Sequence, residues 1–596
     1  MSSTLRSIFL PLLLTLTATA AAGTKDLVND SIRACRALQN EDGSYGPADR
    51  QPLITARLLQ ALGDCDEHYT SQDGPFVRDA VAALLTHQRD DGAFADQGDP
   101  RRVGLTAEVY LALSATARTA AYDEARAKAR EFLSSSLEKG DLDSATSAQV
   151  QRALTGKSAP AIHLARYLEP GETLTRDADW LKTVAPRLLQ AQEKELASLD
   201  PAGIPLLVDR LLALIDRCGV ESSLRSESDE LAPMPRRATP ASDEEARERI
   251  EAAIAFLDSS QQDGTFGMGG HADPGITGLA LSALIRICDR TGLERPAYIG
   301  QGLDWLVSLQ KEDGSIFQMG LKNYVTSVSV EALAASGDPR YEAAIQRATT
   351  FLTETQLDEG EGYSAEADPY YGGFGYGSSE KPDLSNTQMA LQALHEAGVP
   401  EGDPAYQKAI QFLNRCQNRA ETGTAPIVRR DGVVVTAGND GGAVYRPGDS
   451  KAGTDVAADG KVFARSYGSM TYALLKSYLF AGLDPDDDRV REAVRWISQH
   501  YTLEVNPGFE SGSKSEPYQG LYYYYLTLAR ALKAIGTDEI VDEGGTARNW
   551  RSDLREMLFS LQAEEGFWIN QRSSRWMEGN SVLTTAYALL ALAETS

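Results

Sequence analysis

The residues best placed to do chemistry lie where loops turn into helices. Between Tyr371 and Val399 a glycine-aromatic loop (Gly372, Gly373, Phe374, Gly375, Tyr376, Gly377) runs through Lys381, Pro382 and Asp383 into a helix expected to open at Ser385 or Asn386. Short polar side chains at such a junction cap the helix by accepting from its free first-turn N–H groups, and Gly398 with Pro400 stops it. A second concentration is Tyr522-Tyr523-Tyr524-Tyr525, directly after Gln519-Gly520. Successive helical residues point about 100° apart, so one or two of these rings can face any one side. Phenol faces there could hold a sugar, a polyene or a cation, or simply pack as core. Glu504, Asp440 and Asp455 are loop carboxylates without the spacing of an acid–base pair, and Asp484-Pro485-Asp486-Asp487 reads as the cap of the helix that follows it.

The elements that must position these groups come from an internal repeat. An aromatic-leucine pair, three residues and a glutamine occur as FLDSSQ (Phe256 to Gln261), WLVSLQ (Trp305 to Gln310), FLTETQ (Phe351 to Gln356) and FLNRCQ (Phe412 to Gln417). Weaker copies end at Gln39, Gln88, Gln499 and Gln562. An acidic-glycine-aromatic turn follows, as in Asp91-Gly92-Ala93-Phe94 and Asp263-Gly264-Thr265-Phe266, and then a more apolar helix such as Ile276 to Ile287 or Tyr324 to Ala335. Half-exposed helices alternating with apolar ones predict an outer ring around an inner ring. The fold class expected is all-α: an (α/α)6-like toroid over 242–596 and a smaller N-terminal α/α helical-repeat domain over 24–220, joined by a charged, Pro- and Ser-containing linker at 221–241. Copies around Leu137 and Gln190 are degenerate, and long insertions at Glu421 to Ala464 and Glu504 to Tyr518 interrupt the last repeats.

In such a toroid every inner helix starts on the same rim, where N-termini and glycine-rich loops make a donor-rich, electropositive mouth. The ligand-binding candidates at this mouth are His271, Tyr324, Tyr376, Asn386, Tyr467, Gln519, Arg572 and Trp576.

Composition bounds the partners. The chain has 596 residues and a formal charge of −27, with a pI near 4.7. That charge argues against nucleic acid and against electrostatic binding to anionic membranes. Met1 to Gly23 has Arg6, an apolar run from Ile8 to Leu16 and small residues at Ala18 to Ala22, the pattern of a signal peptide. Its apolar run is shorter than the ~20 residues a membrane span needs. The expectation is an exported protein, periplasmic or extracellular, without a membrane span. Five scattered cysteines without a CxxC pair, and six histidines, offer no zinc set and no disulfide framework. Cys35 and Cys65 are the nearest pair, either bridged or buried as free thiols. No cofactor is implied.

At its repeat motifs the chain resembles the terpenoid cyclase and protein prenyltransferase superfamily, and squalene-hopene-type cyclases in particular at Asp383. The resemblance implies an α/α toroid with an isoprenoid-like ligand in its lumen. In those cyclases a DxDDT motif enters an inner helix, and its middle aspartate protonates the substrate. Here the corresponding residues are Asp383-Leu384-Ser385-Asn386-Thr387, so the first Asp and the Thr remain and the acid does not. Prenyltransferases carry a zinc-binding Asp-x-Cys there, which this chain replaces with Asp383-Leu384-Ser385. The candidate catalytic residues are Asp383, Tyr522 and Tyr524. Three readings follow: a toroid binding a hydrophobic ligand with cyclase chemistry altered or absent, a polysaccharide lyase or hydrolase, and a scaffold for another protein.

Overall fold

The structure is a computed structural model. It describes residues 28–155 (apart from 29–30, 33–34, 37, 66–67 and 118), 208, 211 and 242–595 (apart from 269–270, 319, 378–380, 423–425, 430–431 and 510–514). The expected signal peptide, the linker, Cys218 and the repeat ending near Gln190 lie outside the described residues. Two compact units are present.

In the first unit, α1 (Gln51–Asp64), α2 (Pro75–Leu85), α3 (Arg102–Thr116), α4 (Asp123–Glu138) and α5 (Ser144–Thr155) follow one another, with α3 packed between α1 and α5. Cys35 and Cys65 are free thiols in its core, and burial pushes the Cys35 thiol up to about 12.

The second unit is built from six helix pairs. Its outer helices are α6 (Asp243–Ser260), α8 (Ile299–Ser308), α10 (Glu342–Glu354), α12 (Pro404–Cys416), α14 (Asp488–His500) and α16 (Trp550–Leu561). Its inner helices are α7 (Pro274–Thr291), α9 (Lys322–Ser336), α11 (Leu384–Glu396), α13 (Gly468–Phe480), α15 (Leu521–Ala534) and α17 (Ser581–Glu594). Each inner helix packs on the next, and α17 packs on α7, so the ring closes. The expected all-α toroid is what forms.

The repeat motifs explain why. Gln310, Gln356, Gln417 and Gln562 each direct both hydrogens of one side-chain amide to carbonyls, at 2.8–3.0 Å. One carbonyl belongs to the following turn (Gly314, Gly372, Gly441, Gly566) and the other lies near the start of the next outer helix (Ala344, Ala405, Arg489, Arg249). The glutamine therefore rivets one pair to the next and satisfies carbonyls that burial would otherwise strand. Gln39 and Gln88 do the same in the first unit, to Phe76 and Ala125. Gln261 departs from this rule: its turn is one residue shorter, and its side-chain oxygen accepts from the Gly264 N–H at 2.7 Å.

A second device is a threonine one turn into five of the six inner helices, α15 carrying Tyr524 and Tyr525 there instead. Thr277, Thr326, Thr387, Thr471 and Thr585 accept from the backbone N–H of Phe266, Ile316, Phe374, Ala443 and Trp568, pinning the turn to the helix it feeds. The helix expected to open at Ser385 or Asn386 starts at Leu384, because Asp383 reaches the Asn386 N–H at 2.8 Å and takes the cap. The insertion before α13 is not merely loop. Val434–Thr436 pairs parallel with Val462–Ala464, which pairs antiparallel with Thr454–Val456.

Candidate functional site

The N-terminal ends of the inner helices hold most of the residues singled out from the sequence, in three groups. In the first, Asp383 is fully buried and accepts at 2.8 Å from both the backbone N–H and the side-chain Nδ2 of Asn386. Burial raises its pKa, against the pull of Arg446 and of the Asn386 and Tyr445 hydrogen bonds. Tyr376 joins this group through Tyr445 and Asn386. The Asp383/Thr387 pair has a counterpart in Asp273/Thr277, where Asp273 caps α7 and Thr277 pins Phe266. The two matches to the DxDDT pattern are thus features of the repeat itself.

In the second group, Tyr467 meets Phe509 edge-on at 5.0 Å, and Phe509 meets Trp576 at 6.4 Å. Gly520 has φ +63, and a Cβ there would press to 2.8 Å from the Trp576 ring. Trp576 and Met577 are both left-handed (φ 55 and 66) and each is 41% exposed. Two adjacent non-glycine residues in that region store backbone strain. Gln519 is buried beside this turn, and Arg572 lies over the Tyr518 ring at 4.3 Å. His271 stays exposed on the Gly267–Ala272 hairpin.

The third group is the phenol layer. Tyr324 and Tyr587 hydroxyls are 3.4 Å apart, and the Tyr587 ring lies 6.1 Å from Tyr523. Tyr523 OH meets Ser385 Oγ at 2.9 Å and accepts from Gln388 Nε2 at 2.9 Å. Tyr324, Tyr376 and Tyr523 lie deep in the protein yet keep part of their surface accessible, so they border an internal space. Of the tyrosine run it is Tyr523 that faces the lumen. Tyr524 donates to the Thr502 carbonyl and Tyr525 to that of Leu503, both between the rings, while Tyr522 packs edge-on against Tyr525. The helical 100° step separates these directions.

Below the phenols the lumen is charged. Seven residues, about 10 Å of helix rise, separate Tyr324 from Glu331, Tyr523 from Arg530 and Tyr587 from Glu594. Arg530 and Glu331 form a buried ion pair. Ser282 donates to Glu331 at 3.2 Å, and Arg286 meets Glu396 at 2.9 Å. Burial opposes ionisation of Glu331, but Arg530 and Arg286 outweigh it and hold its pKa low. Gln392 donates to Glu396 at 2.8 Å and accepts from Lys476 Nζ at 2.7 Å, and Lys476 also donates to Gln388 Oε1. Burial, reinforced by Arg530, drives the Lys476 amine well below the usual lysine range. One hydrogen-bonded chain therefore runs from Ser385 and Tyr523 through Gln388, Lys476 and Gln392 to Glu396, which forms an ion pair with Arg286.

Sequence reasoning missed this column. Its signal was present on α11: Ser385, Gln388, Gln392 and Glu396 fall at steps of three, four and four, along one face of the helix. Glu578 was also missed. It is buried at the start of α15, accepts from the Tyr523 N–H at 2.9 Å and from Asn570 Nδ2 at 2.7 Å, and burial raises its pKa to about 7. Asp487 caps α14 at the opposite rim, and hydrogen bonding to Arg489 lowers its carboxyl to about 2. Among the described residues no three His, Cys, Asp or Glu side chains converge as metal ligands, and no helix is long and apolar enough to cross a membrane.

A closed ring of six helix pairs, with polar groups gathered at the inner N-termini, defines an α/α toroid. Residues 272–432 match the family model of the squalene-hopene cyclase C-terminal domain. No curated protein matches the chain. Solved structures similar to it include the type II terpene cyclase MstE from Scytonema, at 15% identity over 58% of this chain and 97% of that one, with a TM-score of 0.34. Others are a glycosidase variant, at 15% identity over 59% and 98% with a TM-score of 0.35, and ent-copalyl diphosphate synthase from Streptomyces platensis, at 15% identity over 86% and 100% with a TM-score of 0.27. These superpositions are loose, and the toroid assignment rests on the helix ring itself.

Proposed function

We propose that this protein is exported and that its second unit binds a hydrophobic, isoprenoid-like ligand at the phenol layer of its lumen and does not run protonation-initiated cyclisation. The observation that carries this reading is the accessible face of Tyr324 and Tyr523 inside the ring. Aromatic faces accept hydrocarbon, while their hydroxyls stay paired with Ser385, Gln388 and one another. The charged layer beneath closes the lumen to an extended chain, because hydrocarbon placed against Glu331, Arg530 and Arg286 would gain nothing for the water it displaced. The ligand therefore enters from the N-terminal rim and stops at the tyrosines. Asp383 is an unsuitable alkene protonator: a raised pKa weakens it as a donor, and both carboxyl oxygens are engaged by Asn386.

The test is native mass spectrometry with lipid extraction on the mature chain from its own host's exported fraction. A co-purifying isoprenoid or other lipid that disappears in Tyr523→Ala, with no cyclised product on incubation with a polyene, supports the reading. A lumen empty in preparations where control lipids survive, or a cyclised product that depends on Asp383, overturns it.

A second reading, a polysaccharide lyase or hydrolase, has one observation in its favour. The exposed ring of Trp576 stands two residues from Glu578, whose carboxyl titrates at about 7. Release of oligosaccharides from an acidic polysaccharide, abolished by Glu578→Gln, would establish it in place of the first.

A further inference from the structure

The opposite end of the ring holds a separate cavity. The last turns of α7, α9, α15 and α17 border a half-open cavity of about 310 Å³, lined by Arg286, Arg290, Lys533, Asp289 and Glu594. Most of these charges are already matched. Asp289 takes both arms of Arg295, at 2.8 and 2.6 Å, and Lys533 pairs with Glu594. Arg286 meets Glu396 through its Nη2 at 2.9 Å, an ion pair not aligned as a hydrogen bond. Arg290 stands one helical turn beyond Arg286, at the solvent-exposed mouth of the cavity, and has no hydrogen-bond or ion-pair partner among the described residues. Residues four apart share a helix face, so both guanidinium groups lie on the same side of α7. The remaining wall is Ala335 and Ala593, small and apolar.

We propose that this cavity binds a small organic monocarboxylate. A guanidinium presents parallel N–H donors in the plane and at the spacing that a carboxylate accepts. One full positive charge, that of Arg290, is unmatched, so one negative charge completes the site. A doubly charged anion leaves an excess beside Asp289, Glu594 and the carbonyl ends of four helices, which disfavour negative charge. The alanine wall leaves room for a short carbon chain. Because Arg286 is also ion-paired with Glu396 at the foot of the lumen, a carboxylate here draws on the same guanidinium that holds Glu396. The inference does not depend on what occupies the phenol layer.

Isothermal titration calorimetry on the full chain, with butanoate, hexanoate, inorganic phosphate and butylammonium as probes, tests it. The two carboxylates are expected to bind and to weaken with added salt, and phosphate and butylammonium are expected to bind more weakly or not at all. Arg290→Ala should lower carboxylate affinity by about tenfold or more, and Ala593→Leu, which fills the cavity, should abolish binding. Circular dichroism and thermal melts establish that both variants fold. Absence of binding by either acid at millimolar concentration, phosphate or butylammonium binding as tightly as the acids, or acid binding untouched by both substitutions overturns the proposal.

Discussion

Gln562, at the end of the last outer helix, donates its side-chain amide to the carbonyl of Arg249 in the first, at 2.9 Å. The other hydrogen goes to the Gly566 carbonyl at 2.8 Å, and a Cβ on Gly566 (φ +91) would come 2.5 Å from the carbonyl of Ala252. The seam of the ring is therefore held by the same rivet as every other junction that uses it. Gln562→Ala removes two hydrogen bonds to carbonyls and is expected to cost about 2 kcal/mol in urea unfolding of the toroid unit. A loss under about 0.5 kcal/mol would mean that water replaces the amide without penalty.

The buried Arg530–Glu331 pair predicts an asymmetric result. Arg530→Met leaves Glu331 buried with less compensation and should destabilise by about 3–5 kcal/mol, whereas Arg530→Met combined with Glu331→Leu should recover much of that loss. A double-mutant cycle by chemical denaturation reads both numbers. Equal destabilisation by the single and double variants would show that Arg286 and Ser282 need Glu331 as much as Arg530 does.

Glu578 predicts a pH dependence of stability. Its folded pKa is raised above the unfolded value, to about 7, so the folded state holds its proton more tightly. The contribution is fully present below the unfolded carboxyl pKa and is lost as pH rises through about 7, an effect of order 3 kcal/mol. Thermal melts of the native chain should fall between pH 5 and pH 8, and Glu578→Gln should flatten that part of the profile.

Asp383 is expected to behave as a cap. Asp383→Asn keeps an oxygen for the Asn386 N–H and should cost less than Asp383→Ala, which should lose about 1–2 kcal/mol. If the alanine variant is as stable as the native chain while ligand retention fails, Asp383 belongs to the ligand site and not to the helix.

The repeat was legible because its signals are local: Phe412-Leu413 to Gln417, Asp-Gly turns and apolar helices lie within a few residues of one another. The ring followed from them. The lumen was harder to read, because Glu331 and Arg530 are 199 positions apart and only ring closure makes them neighbours. The tyrosine run was legible as unusual, but choosing Tyr523 over Tyr522 and Tyr524 requires the phase of α15 relative to its axis, fixed by Arg530 two turns further on. Glu578 had no sequence signal beyond its place before α17. Its burial comes from a loop folding over the start of the neighbouring helix.

Closure also changes what the order of the chain means. In an open array of repeats the terminal copies need special outer faces, and length can grow or shrink by whole units. Here α6 packs against α17, and Arg551 holds the Glu594 carbonyl at 2.6 Å, so the two extremities of the ring segment belong to adjoining elements. The six pairs form a cycle in which the starting point is arbitrary. A gene that joined residue 595 to 242 through a short linker and began instead in the loop between α7 and α8 would encode the same neighbours. Removing one pair would leave Gln rivets facing a gap, so the number of copies is set by geometry, as the number of staves sets the girth of a cask.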